Sequence, residues 1–263
     1  DVEVFEKNDR IGGLMIYGIP NFKLDKSVVI RRHEWLKESG VIFHTNCEVG
    51  KDITFDDLEK NFDAILISTG VYKARSLDLN TKKVNNSVPA LDYLIESNRV
   101  GLGDTPSSNF HLNAKNKKVI VIGGGDTAMD CVRTAVRQKA SEVICLYRRN
   151  KENMPGSARE VANAEEEGVE FVWLSTPKEF KGTNKIESLI VDQIQLGEPD
   201  DSGRKRPQIK EGSELEIKAD MVIKALGFDP EDLPYLFDAK GLQVTKWGTI
   251  KTDFDTMETN IQG

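Results

Sequence analysis

Between Lys118 and Arg149 the chain carries a pattern that few folds can use. The apolar run Lys118-Val-Ile-Val-Ile122 enters Gly123, Gly124 and Gly125, and Asp126-Thr127-Ala128-Met129-Asp130 opens a helix. A second apolar run, Val143-Ile-Cys-Leu146, then ends on Tyr147-Arg148-Arg149. Strand, glycine turn, helix and strand in that order predict a dinucleotide-binding βαβ unit. Gly123 suits the tight turn, Gly125 lets backbone approach a pyrophosphate, and Ala128 allows close helix–strand packing. The N–H groups of the helix N-terminus offer a partial positive charge to the phosphates. Where an NAD-preferring site carries an acid for the ribose 2′-OH, this chain has Arg148 and Arg149. Two guanidinium groups match a 2′-phosphate dianion, which an acid would repel, so the sequence points to NADPH rather than NADH.

Length and composition narrow the rest. A chain of 263 residues holds one large or two ordinary domains, and 38% hydrophobic with 30% charged residues is the balance of a soluble globular protein. No apolar stretch approaches the ~20 residues of a membrane span, and no signal peptide is legible at the start. A formal net charge of −7 argues against a general nucleic-acid binder. The short basic run Arg204-Lys205-Arg206 reads as a solvated turn.

Cys47, Cys131 and Cys145 form no CxxC pair, and His33, His44 and His111 show no ligand spacing, so no metal site is expected. Cys131 falls on the predicted helix and Cys145 in a predicted strand, as core thiols suited to a reducing cytoplasm. The sequon Asn85-Asn86-Ser87 is read as chance.

The remaining segments fall into elements. Asp1-Val-Glu-Val-Phe-Glu6 alternates as a strand ending on an acid, and Glu6 by itself is equally a ribose ligand of another nucleotide unit or a strand-end charge. Gly12-Gly13 by itself reads as an ordinary turn, or as a close approach of backbone to a ligand. Helices are predicted over 27–39, 55–60 and 160–167, and strands over 41–45, 62–70, 169–174 and 220–227. The stretch 75–89 reads as a crossing between domains. Residues 186–196 and 214–219 alternate and are expected to pair, and the tail from Leu242 reads as extended.

Gly123-Gly-Gly-Asp-Thr-Ala-Met-Asp-Cys-Val-Arg133, Leu146-Tyr-Arg-Arg-Asn150, Asn153-Met-Pro-Gly-Ser-Ala-Arg-Glu160 and Ala164-Glu-Glu-Glu-Gly-Val169 together resemble the small (β) subunit family of NADPH-dependent glutamate synthase. Gly12-Gly-Leu-Met-Ile-Tyr-Gly-Ile-Pro20, Ser68-Thr-Gly70 and Ile223-Lys-Ala-Leu-Gly-Phe228 carry the same resemblance. It implies an α/β protein of two Rossmann-like dinucleotide-binding domains, the NADPH domain inserted in a discontinuous FAD domain. The FAD domain would take residues 1–73 and the return segment 229–263, and the NADPH domain residues 74–228.

By motif, Glu6 would hold the FAD ribose, and Gly12, Gly13 and Leu14 would line the FAD. Gly18 and Pro20 would lie near the flavin ring, and Thr69 and Gly70 near the flavin nucleotide. Gly123, Gly125, Asp126 and Thr127 would contact the NADPH pyrophosphate, and Arg148 and Arg149 the 2′-phosphate. Glu160 would neighbour the nicotinamide. No catalytic acid, base or metal ligand is implied.

Members of that family also carry [4Fe–4S] clusters in a cysteine-rich domain, a GxGxxG loop for FAD, and a closing Gly-Asp motif. None of these is in the sequence, so the chain is expected to be a fragment cut within the FAD domain at both ends, with FAD assigned to the intact parent and clusters to the parent alone. The implied chemistry is hydride transfer from NADPH to FAD, then electron delivery to the large (α) synthase subunit. The alternatives are a related NADPH–flavin input module serving another partner, as in dihydropyrimidine dehydrogenase, or a non-catalytic NADPH-binding module.

Overall fold

The computed structural model describes every residue except 78, 80–83, 85, 105–111 and 200–204. Asn85 of the sequon, His111 and Arg204 therefore lie outside the described residues. The chain forms two compact units, one of Asp1–Ile16, Leu24–Arg75 and Phe228–Gly263, the other of Tyr17–Lys23 and Ser76–Gly227.

The second unit is built on a parallel sheet in the order Ser87–Pro89, Met221–Lys224, Lys118–Ile122, Glu142–Leu146, Glu170–Val172. Its central strand is apolar from Val119 to Ile122 because that part is covered on both faces. Val119 and Val121 point to one side, against Ala128, Met129, Val132 and Ala135 of the helix Asp126–Arg137 and Tyr93 and Leu94 of the helix Ala90–Gly101. Ile120 and Ile122 point to the other, against Ile186, Leu189 and Val191. Each fully buried Ile or Val contributes about 1.5–3 kcal/mol, so this strand is the anchor of the unit.

The cover on that second face is an antiparallel ribbon. Ser188–Pro199 pairs with Ser175–Lys181, Leu215–Lys218 and Lys205–Ile209, which includes the pairing expected from the alternation in 186–196 and 214–219. Ser175–Lys181 and the helix Ala90–Gly101 are elements the sequence pattern did not single out.

Segment Tyr17–Lys23, grouped from sequence with the residues before it, packs in the second unit. Its Phe22 ring lies under the guanidinium groups of Arg137 and Arg133, 3.8 and 4.9 Å from the ring centre. Asn98 Nδ2 donates to the Tyr17 carbonyl at 2.8 Å.

In the first unit, Glu3–Glu6 pairs in parallel with Ile42–Thr45. The helix Lys26–Glu38 is capped by Asp25, whose side chain accepts from Ser27 N. Phe55–Asn61 starts at a capping box in which Thr54 and Asp57 satisfy each other's backbone. Its core gathers Phe55, Leu58, Phe237, Ala239 and Leu242, with Ile65 and Ile67 packed alongside.

The strand expected over 62–70 does not form. Ile65 and Ile67 are half-buried while Leu66 is 89% exposed, so the alternation is present. Among the described residues, however, no neighbouring strand pairs with it, and a strand needs a ladder as well as a period.

Candidate functional site

The glycine turn of the second unit is shaped by steric necessity. Gly123 has φ +147°, and a Cβ there would sit 2.2 Å from the Ala225 carbonyl oxygen. Gly124, to which the sequence pattern gave no role, faces the ring of Tyr147, and a Cβ on it would lie 2.4 Å from that ring. At Gly125 a Cβ would meet nothing within 4 Å. The third glycine thus opens outward, where a phosphate needs space. Among the described residues Ala128 is the first of the following helix to find a backbone acceptor, Gly125 O at 2.9 Å, which leaves the Asp126 and Thr127 N–H groups at the open end.

A second loop braces the turn. Gly156 N donates to Gly124 O at 2.9 Å, and Ser157 N donates to Asp126 Oδ1 at 2.9 Å. Tyr147 Oη donates to the Asn153 carbonyl at 3.1 Å. The Asp126 carboxylate therefore ties down the loop preceding the helix Ala158–Glu166.

Below the turn, Cys145 Sγ lies 3.4 Å from Gly123 O, and burial pushes its thiol up to about 12. Cys131 Sγ lies 3.9 Å from the Ala90 carbonyl and is likewise raised by burial. Both are core thiols, as their positions in the sequence pattern suggested.

Arg148 is exposed at the end of its strand and has no hydrogen-bond or ion-pair partner among the described residues. Arg149 is half-buried, and its Nε donates to the Lys205 carbonyl at 3.3 Å.

Glu160 lies in an ionic cluster. Its Oε2 accepts from Arg133 Nη1 at 2.7 Å and from Lys23 Nζ at 3.0 Å, and its side chain is 15% exposed. Burial works to raise this carboxyl, but the hydrogen bonds from Lys23 and Arg133 outweigh it and hold it below the ordinary glutamate value. Gly18 and Pro20, both buried, sit on the same unit. Pro20 lines a cavity of about 130 Å³ with Asn21, Phe22, Asn98, Thr134 and Arg137.

In the first unit, Glu6 ends its strand with Oε1 accepting from Asn8 N at 2.8 Å and Asn8 Nδ2 at 2.6 Å. Tyr72, not singled out in the sequence, is the residue around which the neighbours gather. Its hydroxyl lies 3.4 Å from a Cβ built on Gly13, and its ring 3.5 Å from one built on Gly70. Lys7 Nζ stands 5.0 Å from the ring centre. Burial, then the charge of Glu6, raises the phenol above its ordinary value. Gly12 packs on Val29, and Leu14 and Thr69 are exposed. The structure thus brings Glu6, Gly13 and Gly70 together in one unit, and Gly123, Gly125, Asp126, Thr127, Arg148 and Arg149 in the other.

Among the described residues no three His, Cys, Asp or Glu side chains converge as a metal site would require. No described helix is long and apolar enough to cross a membrane.

A family model described as pyridine nucleotide-disulphide oxidoreductase matches residues 35–263. A glutamate synthase [NADPH] small chain of Azospirillum brasilense is 54% identical over 265 residues, covering 100% of this chain and 55% of the relative. A putative glutamate synthase [NADPH] small chain of Cereibacter sphaeroides is 55% identical over 262 residues, covering 100% of this chain and 63% of the relative. The chain thus spans little more than half the length of these curated relatives. Among solved structures, Mycobacterium tuberculosis FprA in complex with NADPH superposes with a TM-score of 0.74 at 17% identity, covering 89% of this chain and 65% of that one. Lactococcus lactis thioredoxin reductase gives 0.65 at 22% identity, covering 99% of this chain and 87% of that one. At those identities the likeness concerns the fold, which is that of the α/β dinucleotide oxidoreductases.

Proposed function

The chain belongs to the pyridine nucleotide-disulphide oxidoreductase family, and from that premise we propose that it works as an NADPH-to-flavin electron-input module. The observation that carries the reading is the pairing of an open Gly125 with a partnerless Arg148 at the end of the next strand. A pyrophosphate fits beside the first, on the N–H groups of Asp126 and Thr127. A 2′-phosphate fits beside the second, with Arg149 as its neighbour.

The first unit suits a second nucleotide. Glu6 keeps Oε2 for a ribose hydroxyl pair while Asn8 holds Oε1, and Gly13 and Gly70 leave backbone exposed around Tyr72. That donor set fits FAD, with Gly12, Leu14 and Thr69 beside it. Bound together, NADPH and FAD supply hydride transfer from the nicotinamide to the flavin. The side chains here bind and orient, because that transfer requires no protein acid or base. Glu160, fixed by Lys23 and Arg133 through one oxygen, retains the other to accept from a nicotinamide amide.

The finer reading rests on the two small-chain relatives. In the whole protein, iron–sulfur centres would carry the electrons onward and the large subunit of glutamate synthase would receive them, in a reducing cytoplasm consistent with the free thiols.

Titration of the protein with NADPH and NADH tests the nucleotide assignment. Replacing Arg148 and Arg149 by Ala is expected to weaken NADPH by a few kcal/mol, charge-assisted bonds being worth about 1.5–3 kcal/mol each, and to leave NADH nearly unchanged. Equal loss for both nucleotides overturns it. A visible flavin band that bleaches on adding NADPH tests the electron-input step, and its absence reduces the protein to an NADPH-binding module.

A further inference from the structure

Lys205 and Arg206 belong to a basic run that reads as a solvated turn, yet the fold gives them a specific neighbour. The strand Lys205–Ile209 pairs through one edge with Ser188–Pro199, in a register that shifts between Lys205 and Pro207. No other strand pairs with its second edge among the described residues, and Arg149 Nε donates to the Lys205 carbonyl at 3.3 Å. A bulge is a device for re-aiming backbone and side chains at a sheet edge.

Two consequences follow from charge and geometry. Arg148, Arg149, Lys205 and Arg206 have no carboxylate partner among the described residues. Glu198, next to the register partner Pro199, forms no ion pair there either. Arg149 and Lys205 meet through the Nε–carbonyl hydrogen bond, and Arg148 and Arg206 are their chain neighbours, so the contact brings two runs of like charge together, an arrangement that an anion would stabilise. In addition, a guanidinium whose Nε is held by a carbonyl has its plane fixed, and both η nitrogens remain as a fork for a phosphate.

We propose that the strand Lys205–Ile209 is the outer wall of the 2′-phosphate site. Its Lys205 carbonyl aims the Arg149 fork, and its Lys205 and Arg206 side chains add the charge that sets the preference for NADPH over NADH. The inference rests on the NADPH reading given above and extends it to an element outside the βαβ unit. Arg149 is the binding residue, and Lys205 acts on it as a positioning residue through its backbone.

The test is equilibrium binding of NADPH, NADH and 2′,5′-ADP to the protein and three variants, with circular dichroism to confirm the fold. The double variant K205E/R206E is expected to bind NADPH and 2′,5′-ADP at least about tenfold more weakly, the scale of one charge-assisted hydrogen bond, with NADH unchanged. R149K keeps the charge but lacks the fork, and is expected to lose a similar factor for NADPH. If K205E/R206E binds NADPH as the unaltered protein does, or loses NADH equally, the wall is wrong. If R149K binds NADPH normally, the aiming role is wrong. R148A separates the two levels of the argument. If R148A weakens NADPH and NADH equally, the NADPH reading itself falls, whereas a selective loss of NADPH in R148A without any effect of K205E/R206E removes the wall alone.

Discussion

Lys23 Nζ lies 2.7 Å from Asp130 Oδ1 across 107 residues of sequence, and the contact pins the Tyr17–Lys23 segment to the helix that follows the glycine turn. The two side chains are 22% and 12% exposed, and Lys23 also reaches Glu160 at 3.0 Å. Burial raises the Asp130 carboxyl above its ordinary value, and Lys23 pulls it back. Lys23 in turn is pushed down by burial but raised overall by the hydrogen bonds it donates to Asp130 and Glu160.

Replacing Lys23 by Met strands the Asp130 carboxylate, leaves Glu160 with Arg133 alone, and is expected to cost about 2–3 kcal/mol, somewhat under the 3–5 kcal/mol of a fully buried pair. Asp130→Asn should cost less, since Glu160 still answers Lys23. Urea unfolding followed by tryptophan fluorescence reports this well. Trp35 and Trp247 are 61% and 71% exposed, so the change in burial comes chiefly from Trp173. A loss under about 0.5 kcal/mol, the range of ordinary surface substitutions, contradicts the role given to this pair.

Acid should weaken the same cluster in a defined window. Hydrogen bonds from Arg137, against the opposing effect of burial, and then from Arg133, hold Glu167 down from 4.5 to about 2. A depressed carboxyl stabilises fully above its unfolded value and loses that contribution as pH falls through the folded one. Stability is therefore expected to decline between pH 4.5 and about 2, with Glu160, also lowered, adding to the slope. Glu167→Gln should be less stable at neutral pH and show a flatter acid limb. Parallel curves for the variant and the unaltered protein would argue against the Arg133–Glu167–Arg137 bridge as their source.

Thiol reactivity should divide the cysteines sharply. Thiolate, not thiol, is the nucleophile, and burial raises Cys131 and Cys145 while leaving each within reach of a carbonyl. Cys47 is half-buried. A chromogenic disulfide at pH 8 is expected to titrate Cys47 alone in the native protein and all three in urea. Modification of Cys145 in the native state, mapped by peptide mass, would mean that the floor of the glycine turn opens readily.

How much of this was legible beforehand depends on whether the physics is local. The strand Lys118–Ile122, the glycine turn and the helix Asp126–Arg137 declare themselves, because apolar runs, special backbone and helical period are properties of neighbouring residues. The failed strand over 62–70 has the right period at Ile65, Leu66 and Ile67, but a ladder depends on a partner that periodicity does not reveal. Tyr72 beside Gly13, Lys23 on Asp130 and Arg149 on Lys205 are contacts between distant segments, and nothing in the chain near either residue announces them. Gly124 falls between the two cases. The adjacent glycines marked the turn, yet its reason, the Tyr147 ring, comes from the following strand.

The three glycines should respond differently to a single added methyl, and that difference separates folding from binding. In Gly123→Ala the Cβ would fall 2.2 Å from backbone oxygen at a φ of +147°, so the loss is expected in stability first. In Gly124→Ala it would fall 2.4 Å from the Tyr147 ring, and displacing that ring should disturb Arg148 and cost NADPH affinity along with some stability. Gly125→Ala meets open space. Its folding penalty should stay within about 1 kcal/mol, the cost of a poorer helix N-cap. Its methyl would nonetheless occupy the room a pyrophosphate needs, so NADPH and NADH should both weaken, by about tenfold or more. Thermal melting alongside nucleotide titration distinguishes the three. A Gly125→Ala protein that melts normally and binds both nucleotides normally would place the pyrophosphate elsewhere, because no other consequence of that substitution could conceal the clash.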